Sequence, residues 1–266
     1  MATRGRSPRG RDPRPSGRHF LKSRRIAAEL IDQAGVCADD LVLEIGAGTG
    51  RLTEALMARA RRVIAVELAP DLARRLRRSF ATDVKVDVLE ADILRLSCPV
   101  EPFRAFGNLP FALSTAILRW LLDDPRSSLL RADVILQYEV GRKRASVWPS
   151  TLLSLGWMPW WEFALVRRLA RRSFEPLPAV DAGMLRVTRR DPPLLQPADR
   201  PAISPALRTG LRRSPMPVRR SLPGLTSAAW RRLADERGLP FQATATDLDV
   251  YDWVELSRAI QELTVL

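Results

Sequence analysis

Apolar runs and helical spacings alternate along the first half of the chain. Short, nearly continuous apolar runs predict buried strands, whereas apolar residues that recur every three or four positions predict helices. The alternation is typical of a mostly parallel sheet that is covered by helices on both faces. A first helix is predicted to begin near Ser23 and to stop at Gly35. The remaining predicted elements are strands at 41–45, 63–66, 84–89, 103–106 and 134–138, and helices at 51–60, 71–80 and 114–122.

The pattern changes after residue 148. Two apolar stretches, 160–170 and 182–188, predict an antiparallel strand pair instead of a further strand–helix unit. Prolines then cluster between 192 and 205, which indicates a linker or a domain boundary. Helical spacing returns at 227–237 and 252–263, and the second of these segments has one apolar face. Three segments are therefore predicted: an arm at 1–17, a main domain at 18–191 and a small helical domain at 192–266.

Positive charge changes this picture from a plain globular protein to one with a polyanionic partner. The chain has 43 Lys and Arg against 30 Asp and Glu, a net charge of +13 and a pI near 11.2. Only Lys22, Lys85 and Lys143 are lysines, so arginine supplies nearly all of the excess. A GC-rich genome would explain arginine in place of lysine, but it would not explain the sign of the net charge. Because the arginine fork suits phosphates and base edges, we expect a nucleic-acid partner.

Arginine is concentrated in two places. Residues 1–17 combine it with Pro, Gly and Ser and cannot bury apolar surface, so we expect this arm to be disordered until an anionic partner binds it. A second basic cluster follows the predicted strand at 134–138. The predicted RNA contacts are Arg4, Arg6, Arg9, Arg11 and Arg14 in the arm, and Arg142, Lys143 and Arg144 in the cluster.

Two cysteines and a single histidine exclude several classes of protein. They are too few for a disulfide framework, and their spacing does not suit a metal site. The chain also shows no apolar run of signal-peptide or membrane-spanning length. We therefore expect a soluble, cytoplasmic monomer that binds neither a metal nor a membrane.

A glycine-rich turn follows the first predicted strand and opens a helix. It reads Glu44-Ile-Gly46-Ala-Gly48-Thr-Gly50, and glycines there let the backbone approach a nucleotide-like ligand. An acidic residue beside the turn would repel a pyrophosphate but would suit a zwitterionic amino-acid group. The turn therefore favours S-adenosylmethionine over a dinucleotide as the cofactor. Alone it is also compatible with a tight turn that binds nothing.

Two further carboxylates stand at the ends of the next two strands. Glu67 lies 17 residues after Gly50 and is placed to accept both hydroxyls of a ribose, although an isolated Glu would be read as a solvated charge. Asp92 is placed to accept a hydrogen bond from the adenine amine of the donor, or to cap the helix that follows. The next residues along the chain, Leu68 and Ile93, are assigned to the same cofactor site.

The tetrad Asn108-Leu109-Pro110-Phe111 closes the fourth predicted strand and carries the predicted chemistry. The amine of adenine is a poor nucleophile because its lone pair is delocalised into the ring. If the Asn108 side-chain oxygen and the Leu109 carbonyl accept its two N–H bonds, the lone pair can face a methyl group, and positioning carries the step. Phe111 would stack on the flipped base. An ordinary Asn-x-Pro turn is the alternative interpretation.

Taken together, these motifs resemble the rRNA adenine N6-methyltransferases, and within them the erythromycin-resistance branch. The resemblance implies a Rossmann-like class I methyltransferase fold with a mostly parallel seven-stranded sheet and a small C-terminal helical domain that binds RNA. In that family a Gln-Asn pair touches the methionine end of the donor; here Arg18 and His19 replace it. The resemblance assigns His19 and Leu21 to the donor site and Phe174 to the base pocket. It extends from about residue 17 to 188 and covers 18–21, 44–50, 67, 90–92, 108–111, 137–145 and 174–181.

The predicted function is methyl transfer from S-adenosylmethionine to N6 of an adenine in the peptidyl-transferase loop of 23S rRNA. The resemblance implies that this methylation confers resistance to macrolides, lincosamides and streptogramin B. One alternative is the small-subunit (16S) rRNA dimethyladenosine transferase, which shares nearly every motif. The other is a non-catalytic nucleic-acid-binding protein on the same fold. Intact glycines in the turn, together with Glu67, Asp92 and Asn108, argue against a site that has lost its catalytic activity.

Overall fold

The computed structural model of the protein describes residues 18–146 and 151–264. The strands within these ranges are β1 (Phe20–Leu21), β2 (Leu41–Ile45), β3 (Arg62–Glu67), β4 (Val86–Glu90), β5 (Phe103–Asn108), β6 (Leu129–Gln137), β7 (Trp161–Leu169), β8 (Phe174–Glu175) and β9 (Ala182–Arg189). The helices are α1 (Arg24–Ala34), α2 (Arg51–Met57), α3 (Pro70–Ser79), α4 (Ser114–Leu122), α5 (Tyr138–Arg144), α6 (Leu152–Trp157), α7 (Arg200–Arg213), α8 (Val218–Ser221), α9 (Ser227–Arg237) and α10 (Val250–Thr264).

Seven strands form one sheet in the order β4-β3-β2-β5-β6-β9-β7. The first five are parallel, and β9 is antiparallel to both β6 and β7. This confirms the predicted fold class, and the pairing of β7 with β9 confirms the predicted antiparallel pair. The chain order reverses between the neighbouring strands β2 and β5. In open α/β sheets ligands bind outside the carboxyl ends of the strands at such a switch point.

The two faces of the sheet are covered by different helices. Leu30 of α1, Leu52 of α2 and Leu76 of α3 belong to one hydrophobic cluster, together with alternate residues of the strands. The opposite cluster contains Leu118 of α4 and Leu207 of α7, along with further buried residues of α6, α9 and α10. The C-terminal helices therefore pack on the sheet through a shared core, and the chain near residue 192 does not separate two hydrophobic cores.

A buried group of charges fixes α1 against the sheet. Arg104 of β5 donates to the carbonyl oxygens of Ala34 and Gly35 at the end of α1, and Arg186 of β9 donates to that of Gln33. Cations suit this end of a helix because its last carbonyls have no helical partner. Asp133 of β6 balances the charge of the two arginines: its Oδ1 accepts from Arg186 at 2.7 Å, and its Oδ2 lies 3.6 Å from Arg104. Residues 18–23 are thereby held at the sheet edge where α1 begins.

Several predicted boundaries were wrong. The strand predicted at 134–138 begins at Leu129 and ends at Gln137, so Tyr138 starts α5. The proline-rich segment predicted as a linker or a domain boundary runs into α7. Pro201 lies in the first helical turn, where its missing N–H costs nothing, and Pro205 lies inside the helix. The strands β1 and β8 were missed, since two residues are too few to show a period. Among the described residues no helix has the length and apolarity needed to cross a membrane.

Candidate active site

A cavity of about 250 Å³ opens at the carboxyl ends of β2, β3, β4 and β5. Each of these strands ends in a residue or turn that the sequence predicted to bind a ligand. Because the strands are parallel, these ends lie at the same edge of the sheet. The segment before α1 closes the cavity from the other side. Its lining includes Arg18, His19, Phe20, Gly46, Glu67, Leu68, Asp92, Ile93, Asn108, Leu109, Pro110 and Phe111.

Of the three glycines in the turn, Gly46 lines the cavity, and Ile45 lines it beside that glycine. Gly46 has a φ of 73° and Gly48 a φ of 58°, a region that side chains other than glycine rarely adopt. A Cβ on Gly48 would lie 2.7 Å from the ring of Phe20, so this glycine lets Phe20 cover the turn. Gly48, Gly50 and Leu21 do not line the cavity. Direct contact of these three residues with a donor stays a prediction.

Glu67 is held in a fixed orientation at the end of β3. Its Oε2 accepts from the backbone N–H of Gly48 at 2.9 Å, and its Oε1 accepts from that of Ala69 at 2.8 Å. The Arg18 guanidinium lies 3.9 Å from Oε1. Each carboxylate oxygen has a second lone pair. The side chain can therefore accept two more hydrogen bonds from a ligand without releasing the turn.

Glu44 does not line the cavity, so its contact with the donor stays a prediction. Its side chain is fully buried, and Thr53 of α2 donates to Oε2 at 2.6 Å. The other oxygen, Oε1, is buried without a hydrogen-bond partner among the described residues. Burial raises the pKa of Glu44 to about 7, and the charge of Glu67 contributes to the rise. Glu44 therefore acts by attaching the start of α2 to β2.

Asp92 combines the two roles that the sequence left open. Its Oδ1 accepts from the N–H of Leu94 at 3.0 Å and caps the short turn that begins at Ile93. The same side chain lines the cavity and is partly exposed. Ile93 and Leu68 also line it, the first buried and the second exposed. The cap holds the carboxylate at the cavity wall, where a second acceptor oxygen remains.

Asn108 is the last residue of β5, and its amide has a defined orientation. Its Nδ2 donates to the backbone carbonyl oxygen of His19 at 2.5 Å, so Oδ1 is left as the acceptor at the cavity. The N–H of Leu109 donates to Ile135 of β6 at 2.9 Å, which holds the following carbonyl at the sheet edge. Phe111 begins a short 3-10 turn that leads into α4.

The segment around His19 forms the opposite wall, and the sequence did not predict how it is held. β1 pairs with β8, and the N–H of Lys22 donates to the carbonyl oxygen of Ser173 at 2.9 Å. His19 Nδ1 donates to the carbonyl of Pro176 at 2.8 Å, because a carbonyl can only accept. The imidazole and Phe111 rings are 5.5 Å apart between centroids and tilted by 47°. The motif at 18–21 marked this segment in the sequence, but nothing in the sequence marked β8 as the strand that pairs with it.

Two of the residues predicted to make contacts are buried in this structure. Phe174 is fully buried in the cluster beneath α1 and α2 and does not line the cavity, so its stacking on a base stays a prediction. Arg144 is 9 % exposed and donates to the hydroxyls of Thr151 and Ser154 at 3.0 and 2.9 Å. Burial lowers its pKa, and its guanidinium lies over the ring of Trp157. Arg144 therefore stabilises the packing of α5 on α6, and its contact with RNA stays a prediction.

Of the other residues predicted to contact RNA, two are exposed on α5 and five lie outside the described residues. Arg142 and Lys143 of α5 are exposed, and Arg142 pairs with Glu139 at 2.8 Å. The described residues contain no cluster of His, Cys, Asp and Glu that could hold a metal ion. The arm residues Arg4, Arg6, Arg9, Arg11 and Arg14 lie outside the described residues.

The chain is similar to proteins from several bacteria. It is 35 % identical over 253 residues to the mycinamicin-resistance protein MyrB of Micromonospora griseorubida, covering 93 % of this chain and 78 % of that protein. It is 33 % identical over 187 residues to an rRNA adenine N-6-methyltransferase of Bacillus licheniformis. That match covers 70 % of this chain, which spans 65 % of the length of the Bacillus protein.

The fold is also similar to that of solved structures. The crystal structure of the 23S rRNA methyltransferase ErmE matches with a TM-score of 0.80 at 29 % identity, covering 91 % of this chain and 99 % of that one. A dimethyladenosine transferase from Plasmodium falciparum matches with a TM-score of 0.76, and at 20 % identity it shows the fold alone. The family of ribosomal RNA adenine dimethylases matches over residues 14–262. The chain belongs to this ribosomal RNA adenine dimethylase family.

Proposed function

We propose that the protein transfers a methyl group from S-adenosylmethionine to N6 of an adenine in the peptidyl-transferase loop of 23S rRNA. The observation that carries this proposal is the orientation of Asn108. Its amide nitrogen is engaged by the His19 carbonyl, and its oxygen stays free as an acceptor beside Phe111 and across the cavity from Glu67. An acceptor next to an aromatic ring suits an adenine amine.

The residues of the cavity fit the proposed donor, which supplies an electrophilic methyl group when bound. Glu67 offers two acceptor oxygens for the ribose hydroxyls, and the cap at Asp92 leaves an acceptor for the adenine amine. Gly46 leaves the backbone at the end of β2 uncovered by any side chain. Arg18 carries a cation at the cavity where the family has an uncharged residue, and it is suited to the donor carboxylate.

In the proposed step the chain positions the amine and does not need to remove its proton first. Asn108 Oδ1 and the Leu109 carbonyl accept the two N–H bonds of N6, so that its lone pair points away from them. A bond then forms between N6 and the methyl carbon as the carbon–sulfur bond breaks, and N6 afterwards releases one proton to water. Phe111 holds the flipped base by stacking. Positioning and electrostatics of this kind carry the rate enhancement.

Two observations favour 23S rRNA over the small-subunit substrate. MyrB is named for resistance to mycinamicin, and ErmE, which matches at 29 % identity, is a 23S rRNA methyltransferase. We infer that the modified adenine blocks macrolides, lincosamides and streptogramin B, and that the enzyme acts as a monomer in the cytoplasm, where ribosomal RNA is made.

Primer extension on rRNA tests the proposal. RNA is taken from a macrolide-sensitive bacterium that carries the gene, the gene with Asn108→Ala, or neither. A stop at one adenine of the peptidyl-transferase loop, present only with the unaltered gene and accompanied by macrolide resistance, is expected. A stop in 16S rRNA would assign the alternative substrate. Absence of any new methyladenine in nucleoside mass spectrometry, with RNA binding retained, would identify a non-catalytic binding protein.

A further inference from the structure

The two ring nitrogens of His19 have different surroundings in the candidate active site. Nδ1 donates to the carbonyl oxygen of Pro176 at 2.8 Å. Because this bond makes Nδ1 the protonated nitrogen of the neutral ring, Nε2 carries the lone pair. The two nitrogens point away from each other, so Nε2 is directed away from Pro176, and it has no hydrogen-bond partner among the residues that the structure describes. The neutral side chain therefore presents an unused proton acceptor.

The imidazole lies beside the groups that are proposed to hold the target adenine. His19 lines the same cavity as Asn108 and Phe111, and the centroids of the imidazole and Phe111 rings are 5.5 Å apart. The backbone carbonyl of His19 also accepts the hydrogen bond that orients the Asn108 amide. The side chain that carries the free acceptor is thus anchored at the place where the amine of the base would be bound.

The other charged groups around the imidazole are less suited to take up a proton from the base. Arg18, Glu67 and Asp92 line the cavity. The guanidinium of Arg18 has no acceptor, and the two carboxylates already accept backbone N–H groups and are assigned to the donor. Glu175, in the strand that pairs with β1, is exposed, and the segment 108–113 contains no ionisable side chain. Among the described residues of the cavity, this leaves the imidazole as the available proton acceptor.

We propose that His19 takes up the proton that N6 of the target adenine releases. The proposal rests on the proposed function, because it concerns the same reaction. As the bond between N6 and the methyl carbon forms, the electron pair of the carbon–sulfur bond moves to sulfur, and N6 acquires a positive charge. One N6–H bond then breaks, its electron pair stays on N6, and a water molecule carries the proton to Nε2. The imidazolium has a proton on each nitrogen and afterwards loses the one on Nε2 to bulk water.

Proton loss determines whether the methyl group stays on N6. A nitrogen with four bonds cannot delocalise a lone pair into the ring, so the charged product is high in energy and can return the methyl group to sulfur. Asn108 and the Leu109 carbonyl position the amine by accepting hydrogen bonds, but neither can take up the proton. A positioned base typically contributes about 10²- to 10⁴-fold to a rate. His19 would therefore add proton removal to the positioning that Asn108 supplies.

The test measures single-turnover methyl transfer to a 23S rRNA fragment between pH 5 and pH 8, with protein and S-adenosylmethionine at saturating concentrations. His19→Asn retains an amide N–H for the Pro176 carbonyl, and His19→Gln places an amide near the position of Nε2. Neither amide can take up a proton, and both variants keep the main-chain carbonyl that orients Asn108. Glu44, with a pKa of about 7, titrates in the same range, but every variant contains it, so its effect cancels in the ratio of two rates. Thermal melting checks that each variant folds.

The unaltered protein should be about 10²-fold faster than either variant at pH 8, the lower end of the range for a positioned base. This ratio should shrink about tenfold at pH 5, because histidine ordinarily gains a proton between these pH values and can then no longer accept one. Added imidazole should restore part of the rate of His19→Ala at pH 8 but not that of Asn108→Ala, which lacks an amide and not a base.

A ratio that stays the same at every pH would assign His19 a structural role and overturn the proposal, as would variants that are as fast as the unaltered protein. The two proposals fail in different ways. Methylation with a ratio that does not depend on pH refutes only the role of His19. Absence of methyl transfer by the folded, unaltered protein at every pH refutes the proposed function and this step with it.

Discussion

The Asn108 side chain donates a hydrogen bond to the backbone carbonyl of His19, a residue 89 positions earlier. Because the acceptor is a main-chain atom, the contact does not depend on the side chain at position 19. The Asn108 oxygen can therefore keep its orientation whichever side chain stands at position 19. β1, through its pairing with β8, holds this carbonyl in place.

Asn108→Ala should lower methyl transfer by roughly 10²- to 10³-fold, the range seen when one oriented hydrogen-bonding group is lost from a transition state. The reason is that the amine loses one of its two acceptors while folding and RNA binding stay intact. Transfer of labelled methyl from S-adenosylmethionine to an rRNA fragment measures this. Near-normal turnover in a variant that melts at the usual temperature would refute the mechanism.

Phe111 offers a separate test of base stacking. Phe111→Ala should impair turnover, whereas Phe111→Tyr should retain most of it, because the aromatic face survives. The same methyl-transfer assay, run at several RNA concentrations, compares the two. If both variants were equally active, the ring would have no part in holding the base, and its contact with His19 would be a packing contact alone.

Glu67→Ala should weaken donor binding by about 1.5 to 3 kcal/mol, the scale for losing a charged hydrogen-bond acceptor. The substitution also releases the N–H groups of Gly48 and Ala69, so Glu67→Gln is the better-matched control, since it keeps one acceptor oxygen. Isothermal calorimetry with S-adenosylmethionine gives both affinities, and RNA binding should be largely spared. Unchanged donor affinity in Glu67→Ala would remove this residue from the site.

The buried carboxyl of Glu44 predicts an unusual dependence of stability on pH. Its pKa is about 7 in the folded protein against 4.5 ordinarily, so the folded state binds more protons between these values. The free energy of unfolding should therefore fall as pH rises from about 4.5 to 7, by at most about 3 kcal/mol from this group. Glu44→Gln keeps an acceptor for Thr53 and should be more stable than the unaltered protein at pH 8 but not at pH 5. Urea unfolding at both pH values measures the free energies of unfolding. An equal difference between Glu44→Gln and the unaltered protein at pH 5 and pH 8 would contradict the prediction.

The sequence predicted the centre of the candidate site better than its rim. Gly46, Glu67 and Asn108 end neighbouring parallel strands, so their place in the pattern already implied that they meet. The burial of Phe174 and Arg144 could not be predicted from their motifs: the Phe174 ring lies in the core, and the Arg144 guanidinium donates to hydroxyls.

The amino-terminal arm should contribute affinity without selecting the base. Its five arginines between positions 4 and 14 stand among Pro, Gly and Ser, a composition from which we expect no fixed geometry for reading bases. They should act through release of counterions, which is independent of sequence and steep in salt. Deleting residues 2–15 should weaken rRNA binding and flatten the slope of log affinity against log salt by up to about four to five units, nearly one for each lost phosphate contact. The methylated adenine should stay the same, because the cavity at Asn108 selects it. Replacing the five arginines by glutamine in the full-length chain separates charge from length and should reproduce the effect. Salt slopes that are equal for the truncated and full-length proteins would show that the arm does not contact RNA.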